Sequence, residues 1–377
     1  MEMEFKNAHL GERKLKQFFR ISVKPVLAVL IASLALTGCG TDAEKANSSE
    51  AKKEKTYELK VGYLHGQGAP LFDVANHEGF FEDENLKVEG VSFASSADGL
   101  NALQAGKIDV GLTFGTAAPL TFISKGADFS IIGGHLEGGH PILAQPKDKD
   151  KYKTLEDYKG KKVGTIRMFT SDIVFRSALA EAGIDWKKDL EIIEFKTPGD
   201  LLQAISSGKV DVAVAANTIL LQALKQNLAI VGWSNDLNPS HVCCRVVTRK
   251  ELLSEDKGEA FKRLLKALIR AERVKNEHPE KAVAAAKAHL KLDDKTVDSI
   301  VNEEHSHYSP DPNSKEVKKM WEQMKSIGYI ENADGIDIND YINLDLYERA
   351  LEELMNEYPE DKDYYQKLLD KFNKQNL

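Results

Sequence analysis

Two stretches decide the fold: residues 100–115, LNALQAGKIDVGLTFG, and residues 201–217, LLQAISSGKVDVAVAAN. Each runs in the same order: an apolar-faced helix, a Gly-Lys pair, a β-branched residue, Asp, Val and an apolar strand. Glycine just past a helix suits a C-cap, because a residue without Cβ enters the left-handed region at little cost. The strands opened by Asp109 and Asp211 are continuous apolar runs of the kind buried on both faces of a parallel sheet. One grammar used twice predicts two similar α/β lobes.

Working outward, Leu59–Leu64, Leu86–Phe93, Ile108–Phe114 and Phe129–Ile132 read as strands of the first lobe. Helices are expected at 71–80, ending near Gly79, and at 116–124. Lys162–Ile166, Leu190–Phe195 and Val210–Ala215 read as strands of the second lobe, with a helix from Asp172 to Glu181 stopped by Gly183. The charged stretch 145–162, QPKDKDKYKTLEDYKGKK, is expected to carry one crossing between lobes, and 234–240, SNDLNPS, the other. Strand Val242–Thr248 would then return to the first lobe. Beyond Glu251, helical spacing recurs at 259–273, 279–290, 294–302, 315–326, 343–357 and 360–374. The expected divisions are 57–145 for the first part of lobe one, 146–238 for lobe two, and 239–377 for the return and C-terminal helices. Two crossings between two lobes leave a cleft, where ligands usually sit.

Composition narrows the function. The 377 residues carry 51 Lys plus Arg against 59 Asp plus Glu, a formal charge of −8. That acidity argues against nucleic-acid binding, which leaves a basic footprint. Three cysteines cannot staple a chain of this size. The charge is also uneven: residues 1–38 hold six basic and three acidic side chains, so the remainder stands at −11.

Basic residues precede PVLAVLIASLAL at 25–36, which is too short to span a bilayer but suits a signal-peptide apolar core. The following Leu36-Thr37-Gly38-Cys39 resembles the lipobox of bacterial lipoproteins. The resemblance implies cleavage of 1–38 and a diacylglyceryl group on Cys39. Residues 39–56 are polar and aperiodic and read as a flexible tether. The expected location is the extracytoplasmic face of the cell membrane, held by lipid.

Several stretches together resemble the substrate-binding proteins of ABC importers, in the nitrate, sulfonate and taurine branch. They are VGYLHGQGAPLFDVANHEGFFEDENLKVE at 61–89, LQAGKIDVGLTFG at 103–115, LEDYKGKKVGTI at 155–166 and LLQAISSGKVDVAVAAN at 201–217. The resemblance implies a two-lobed, type II periplasmic-binding-protein-like α/β fold with two inter-lobe crossovers, closing on ligand. It implies a small-molecule anion, an ABC permease with a separate ATPase as partners, a monomer, and no enzyme activity. The chain has no GxxxxGK[ST] segment of its own.

Parallel sheets place ligands at strand C-terminal ends, where helix N-termini attract anions. Three such mouths occur: His65-Gly66, the turn Gly115-Thr116, and Arg167 to Ser171. Thr116, Thr170 and Ser171 are N-cap types, and the resemblance implies that such turns hold a sulfonate or nitrate oxyanion. Arg167 offers a bidentate fork. Asn217 occupies the position in its repeat that Gly115 occupies in the other. Phe114 and Phe169 are either cleft walls or core.

The histidines form a second set. Gly133-Gly134-His135-Leu136-Glu137-Gly138-Gly139-His140 follows a strand, and its glycines would let backbone approach a ligand closely. In His241-Val242-Cys243-Cys244-Arg245, alternation puts His241, Cys243 and Arg245 on one face and Cys244 on the other. His135, His140, His241 and Cys243 would together make a mixed N/S set suited to Zn²⁺. Direct ligand contact, with His140 a candidate, and plain hydrogen-bonding at the hinge remain as alternatives. Glu303-Glu304-His305-Ser306-His307 reads as a surface tract between helices. A metal-binding lipoprotein of the same fold, and a protein related to thiamine-precursor chemistry with Cys243 or Cys244 as nucleophile, are the rival functions.

Overall fold

The computed structural model describes residues 55–65, 69–288, 290, 292–331 and 333–377. The leader, Cys39, most of the tether and Gly66 lie outside the described residues. The described strands are β1 (Tyr57–Leu64), β2 (Leu86–Phe93), β3 (Val110–Gly111), β4 (Phe129–Gly138), β5 (Pro141–Ala144), β6 (Lys162–Ile166), β7 (Glu191–Phe195), β8 (Val212–Val214), β9 (Ala229–Trp233), β10 (Val242–Arg249) and β11 (Ser306–His307). They form two sheets, ordered β11-β4-β10-β3-β1-β2 and β7-β6-β8-β5-β9. β1 runs parallel to β2 and β3, and β6 runs parallel to β7 and β8. The strands next to the crossings, β5, β9 and β10, pair antiparallel.

The repeat holds down to single hydrogen bonds. The Asp109 carboxylate accepts from the Lys60 amide at 2.8 Å, and the Asp211 carboxylate accepts from the Lys162 amide at 2.9 Å. Both aspartate amides donate back to the same residues' carbonyls at 2.8 Å. Each aspartate therefore clamps the start of its strand to the parallel strand beside it, β1 or β6, with a charge-assisted bond. Gly106 and Gly208 have φ of +71° and +73°. This lets the Lys107 and Lys209 amides reach the Ala102 and Ala204 carbonyls, both at 2.9 Å. Ser95 and Thr197 cap the preceding helices, accepting from the Asp98 and Asp200 amides.

The first change of sheet falls earlier than the charge pattern predicts. Pro141–Ala144 already pairs with β8 and β9, so the chain crosses at Gly138-Gly139-His140. The charged stretch 145–162 belongs to the second sheet's side and forms two short 3-10 turns, Pro146–Asp148 and Leu155–Tyr158. Its charges are a solvated surface over buried Tyr152 and Tyr158, which stack at 5.3 Å. The crossing itself needs left-handed backbone, with Gly138 and Gly139 at φ +69° and +83°. The second change of sheet lies between β9 and β10, through the short helix Ser234–Leu237.

Three strand lengths also differ from expectation, and of the expected Val210–Ala215 only Val212–Val214 is strand. The expected strand 108–114 pairs only at Val110–Gly111. The Thr113 hydroxyl takes the Leu64 amide at 2.7 Å, and the chain turns at Gly115, φ +82°. β4 continues past Ile132 to Gly138 because it pairs there with β10 and β11, and Gly134 has room only for a backbone: a Cβ there would lie 2.2 Å from the Asp311 carbonyl. The close approach that these glycines allow is therefore to the protein's own 309–311 segment. Phe114 is core, fully buried in a cradle formed by Gly62, Gly99 and Gly111. The long helix Glu255–Glu277 buries Phe261, Leu264, Leu265 and Leu268, and helices Asp345–Glu357 and Lys362–Asn376 extend the same core.

Candidate functional site

A cavity of about 530 Å³ of atom-free space, open solvent at its mouth included, lies where the strand ends of the two sheets face each other. Leu64, Pro70, Ser96, Thr113, Gly115, His135, Leu136, Cys243, Cys244 and Tyr308 line it from the first sheet's side. His140 lines it from the crossing, and Phe169, Thr170, Ala216, Asn217 and Thr218 from the second sheet's side. No Asp, Glu, Lys or Arg is among these lining residues.

Its floor is a knot between the lobes. The Thr170 hydroxyl accepts from the Thr116 amide at 3.2 Å, and the hydroxyls of Thr116 and Thr170 both donate to the Cys243 carbonyl at 2.9 Å. Thr116 stands at the N-cap position of its helix but makes no side-chain cap bond, and Thr170 lies inside the first turn of its own. The helix Ala117–Ser124 starts after Thr116 with no side-chain cap, and Thr170–Glu181 has Phe169, not Thr170 or Ser171, at its N-cap. The first amides of a helix have no intrahelical acceptor, so two uncapped helix starts from opposite lobes offer donors at one place. Ser171 is fully buried, its hydroxyl without a partner among the described residues.

The histidines supply the other polar groups. His135, His140 and His241 are buried. Both ring nitrogens of His135 and of His140 lack a hydrogen-bond partner among the described residues, as does Nε2 of His241. Burial pushes His135 and His140 each down to about 3, helped by the charge of Arg245 near His135 and by the neighbouring His241 ring for His140. Burial likewise takes His241 down to about 4. At neutral pH all three are uncharged imidazoles, each with one donor and one acceptor. Buried polar atoms are almost always satisfied, so four orphaned nitrogens on cavity-lining rings point to a ligand.

The expected metal set does not assemble. His140 and His241 sit with ring centroids 5.9 Å apart, but His241 lies behind His140, its Nδ1 2.6 Å from the Asn238 carbonyl. Among the described residues no three His, Cys, Asp or Glu groups come together to hold a metal ion. Cys244 also departs from expectation. β10 shifts register against β4 on both sides of Cys244, and this bulge brings Cys243 and Cys244 together to the cavity wall. Their sulfurs are 3.2 Å apart. Burial raises the Cys243 thiol, whereas the hydrogen bond from Cys243 lowers Cys244.

Two expected ligand residues lie elsewhere. Arg167 points to the surface, 3.0 Å from Glu194 on β7 and over the Tyr329 ring, because that acidic neighbour is the nearer partner. His65 is exposed beside Ser92, on a groove adjoining the cavity through Leu64 and Thr218. Of the Glu303–His307 tract, Glu304 and His307 face solvent, whereas His305 stacks on Trp233 at 4.1 Å. The adjoining Tyr308 was missed: β11 pairs with β4, which sets Tyr308 edge-on to His135 at 5.8 Å. Thr113, Thr218 and Ser96 also lie in the lining without a local signal in the sequence.

Behind the wall, Arg245 is fully buried. It donates to the carbonyls of Cys244, Leu136, Asp311 and Pro312 at 2.8–3.0 Å and lies 4.0 Å from Glu137. Its charge is spent on the scaffold. No helix among the described residues is long and apolar enough to cross a membrane.

Comparisons with known proteins agree with this architecture. A Bacillus subtilis (strain 168) protein named for binding aliphatic sulfonates is 25% identical over 88% of this chain and 98% of its own. The periplasmic nitrate-binding protein of Synechocystis PCC 6803 superposes with a TM-score of 0.68 at 17% identity, covering 81% of this chain and 91% of the other. The zinc-bound ligand-binding component of an ABC-type import system from Staphylococcus aureus gives 0.64 at 19% identity, covering 78% and 99%. The fold is that of the periplasmic binding proteins. The model of the NMT1-like family matches residues 52–290, a span that contains both crossings and the parallel strands of both sheets, and the chain belongs to that family.

Proposed function

We propose that this chain is the extracytoplasmic solute-binding component of an ABC importer, anchored by lipid at Cys39. It takes a small anion of the sulfonate, taurine or nitrate class and delivers it to a permease driven by a separate ATPase; it catalyses no reaction itself. The observation that carries this reading is the convergence of two helix starts without side-chain caps, one from each lobe, on a cavity with orphaned imidazole nitrogens. An anion held there would accept from backbone amides and neutral imidazole N–H groups, and need no formal cation. Bridging both lobes, it would favour their approach, which a permease reads as the loaded form. Calorimetric titration with methanesulfonate, taurine and nitrate tests the class; absence of heat for all three overturns it.

A second reading keeps the receptor and makes the solute a metal complex. The free ring nitrogens of His135 and His140 favour it, since a complex brings most of its own ligands. Elemental analysis of dialysed protein separates the two: retained zinc supports the complex, and metal-free protein that binds the anions excludes it.

A further inference from the structure

We propose that Cys243 and Cys244 are a thiol–disulfide site in the wall of the ligand cavity, closing to a vicinal disulfide when a small disulfide oxidant enters. Neighbouring residues of a strand normally point to opposite faces. Here the register shifts around Cys244 undo that alternation, and both side chains line the cavity. The sulfurs lie 3.2 Å apart, and both cysteines are free. The contact with Cys243 holds Cys244 below its ordinary value against burial, whereas burial raises Cys243, so Cys244 is the readier thiolate. Both cysteines are buried except where they line the cavity, so among the described residues the cavity is where a reagent would meet them.

The step balances as two exchanges. The Cys244 thiolate attacks one sulfur of a disulfide RS–SR, forming Cys244–S–S–R and expelling RS⁻. Cys243 gives up its proton to that leaving thiolate and attacks the Cys244 sulfur. The Cys243–Cys244 bond forms and the second RS⁻ departs, to be protonated by solvent. The protein loses two electrons and two protons, and the oxidant becomes two thiols.

That such oxidants meet the protein rests on the extracytoplasmic reading above; the reactivity of the pair does not. The full chain is incubated with glutathione disulfide, alkylated under denaturing conditions and digested with trypsin. Both cysteines fall in one peptide, residues 226–245, and Cys39 falls in another. The expected result is a 226–245 peptide lighter than the reduced form by about 2 Da, with doubly alkylated peptide reduced at least about tenfold and restored by a reductant. Cys243→Ser should stop at a single glutathione adduct on Cys244. A wild-type peptide still doubly alkylated, or carrying two glutathiones, overturns the proposal, and it decides the matter even if the variant does not fold. No transported solute enters this measurement, so failed solute binding and failed disulfide formation remain separate results.

Discussion

His135 and His140 present the same physical problem twice: a buried imidazole, held near pKa 3 by burial, with no partner for either nitrogen among the described residues. Because the folded values lie below the ordinary 6.5, the unfolded chain binds more protons between those limits. Stability is therefore whole above about pH 6.5 and falls as pH drops towards 3, each group adding a slope of up to about 1.4 kcal/mol per pH unit. Urea unfolding followed from pH 7 to 4 should show this fall, and His140→Leu should flatten it; an unchanged slope would refute the buried neutral state. The same substitution should weaken solute binding at least about tenfold in calorimetry, by removing a donor aimed into the cavity. Thr170→Val strips the Thr116 amide of its acceptor and should cost about 1–3 kcal/mol in urea unfolding. Some of these residues were legible beforehand. His140, Thr170 and Asn217 stand at strand or crossing ends, where the topology concentrates ligands. Arg167 was not, because nothing local says that Glu194, on the neighbouring strand, takes its guanidinium.

The helix–strand unit that occurs twice is stabilised at this scale by Asp109 and Asp211. Asp109→Ala and Asp211→Ala should each cost about 1–3 kcal/mol, measured by urea unfolding, since each removes a charged acceptor from a backbone amide. Gly99→Ala is a sharper case. Alanine gains up to about 1 kcal/mol of helix propensity, but its Cβ would lie 2.2 Å from the Phe114 ring. Overpacking wins by about 1–3 kcal/mol, so the melting temperature should drop rather than rise. On the long helix Glu255–Glu277, burial raises Glu272 from 4.5 to about 8. The folded state keeps a proton that the unfolded state releases, so this group costs stability as pH rises from 4.5 towards 8. Glu272→Gln should therefore melt higher than wild type at pH 8, with the gain vanishing near pH 4.5. These elements were the most readable part of the chain, because capping glycines and apolar periodicity act over a few residues. The bulge in β10 was not readable: strand alternation is a local rule, and the shift is set by pairing with β4.

Across the whole described body, the two sheets meet through two crossings, and the first carries glycine, Gly138 and Gly139, where the backbone turns left-handed. At Gly139 a Cβ would lie 2.1 Å from the Ser306 hydroxyl, and φ is +83°. Gly139→Ala should thus strain the crossing, lower the melting temperature and alter the change in radius of gyration that taurine or methanesulfonate produces in X-ray scattering. An identical scattering change would deny Gly139 a part in the motion. A second long-range link runs from the last helix to the cavity wall. Asn376 donates to the Asp311 carboxylate at 2.8 Å, and the carbonyls of Asp311 and Pro312 hold Arg245 beside Cys244. By itself the sequence determined the two α/β units, their capping glycines and strand aspartates, and the uneven charge, basic over residues 1–38 and acidic beyond. Each depends on neighbours a few residues apart. Tertiary structure alone decided where the chain changes sheets, that both cysteines face the cavity, that Tyr308 closes it, and that its histidines are neutral. Those outcomes follow from burial and from pairing between segments distant in the chain, which local pattern does not record.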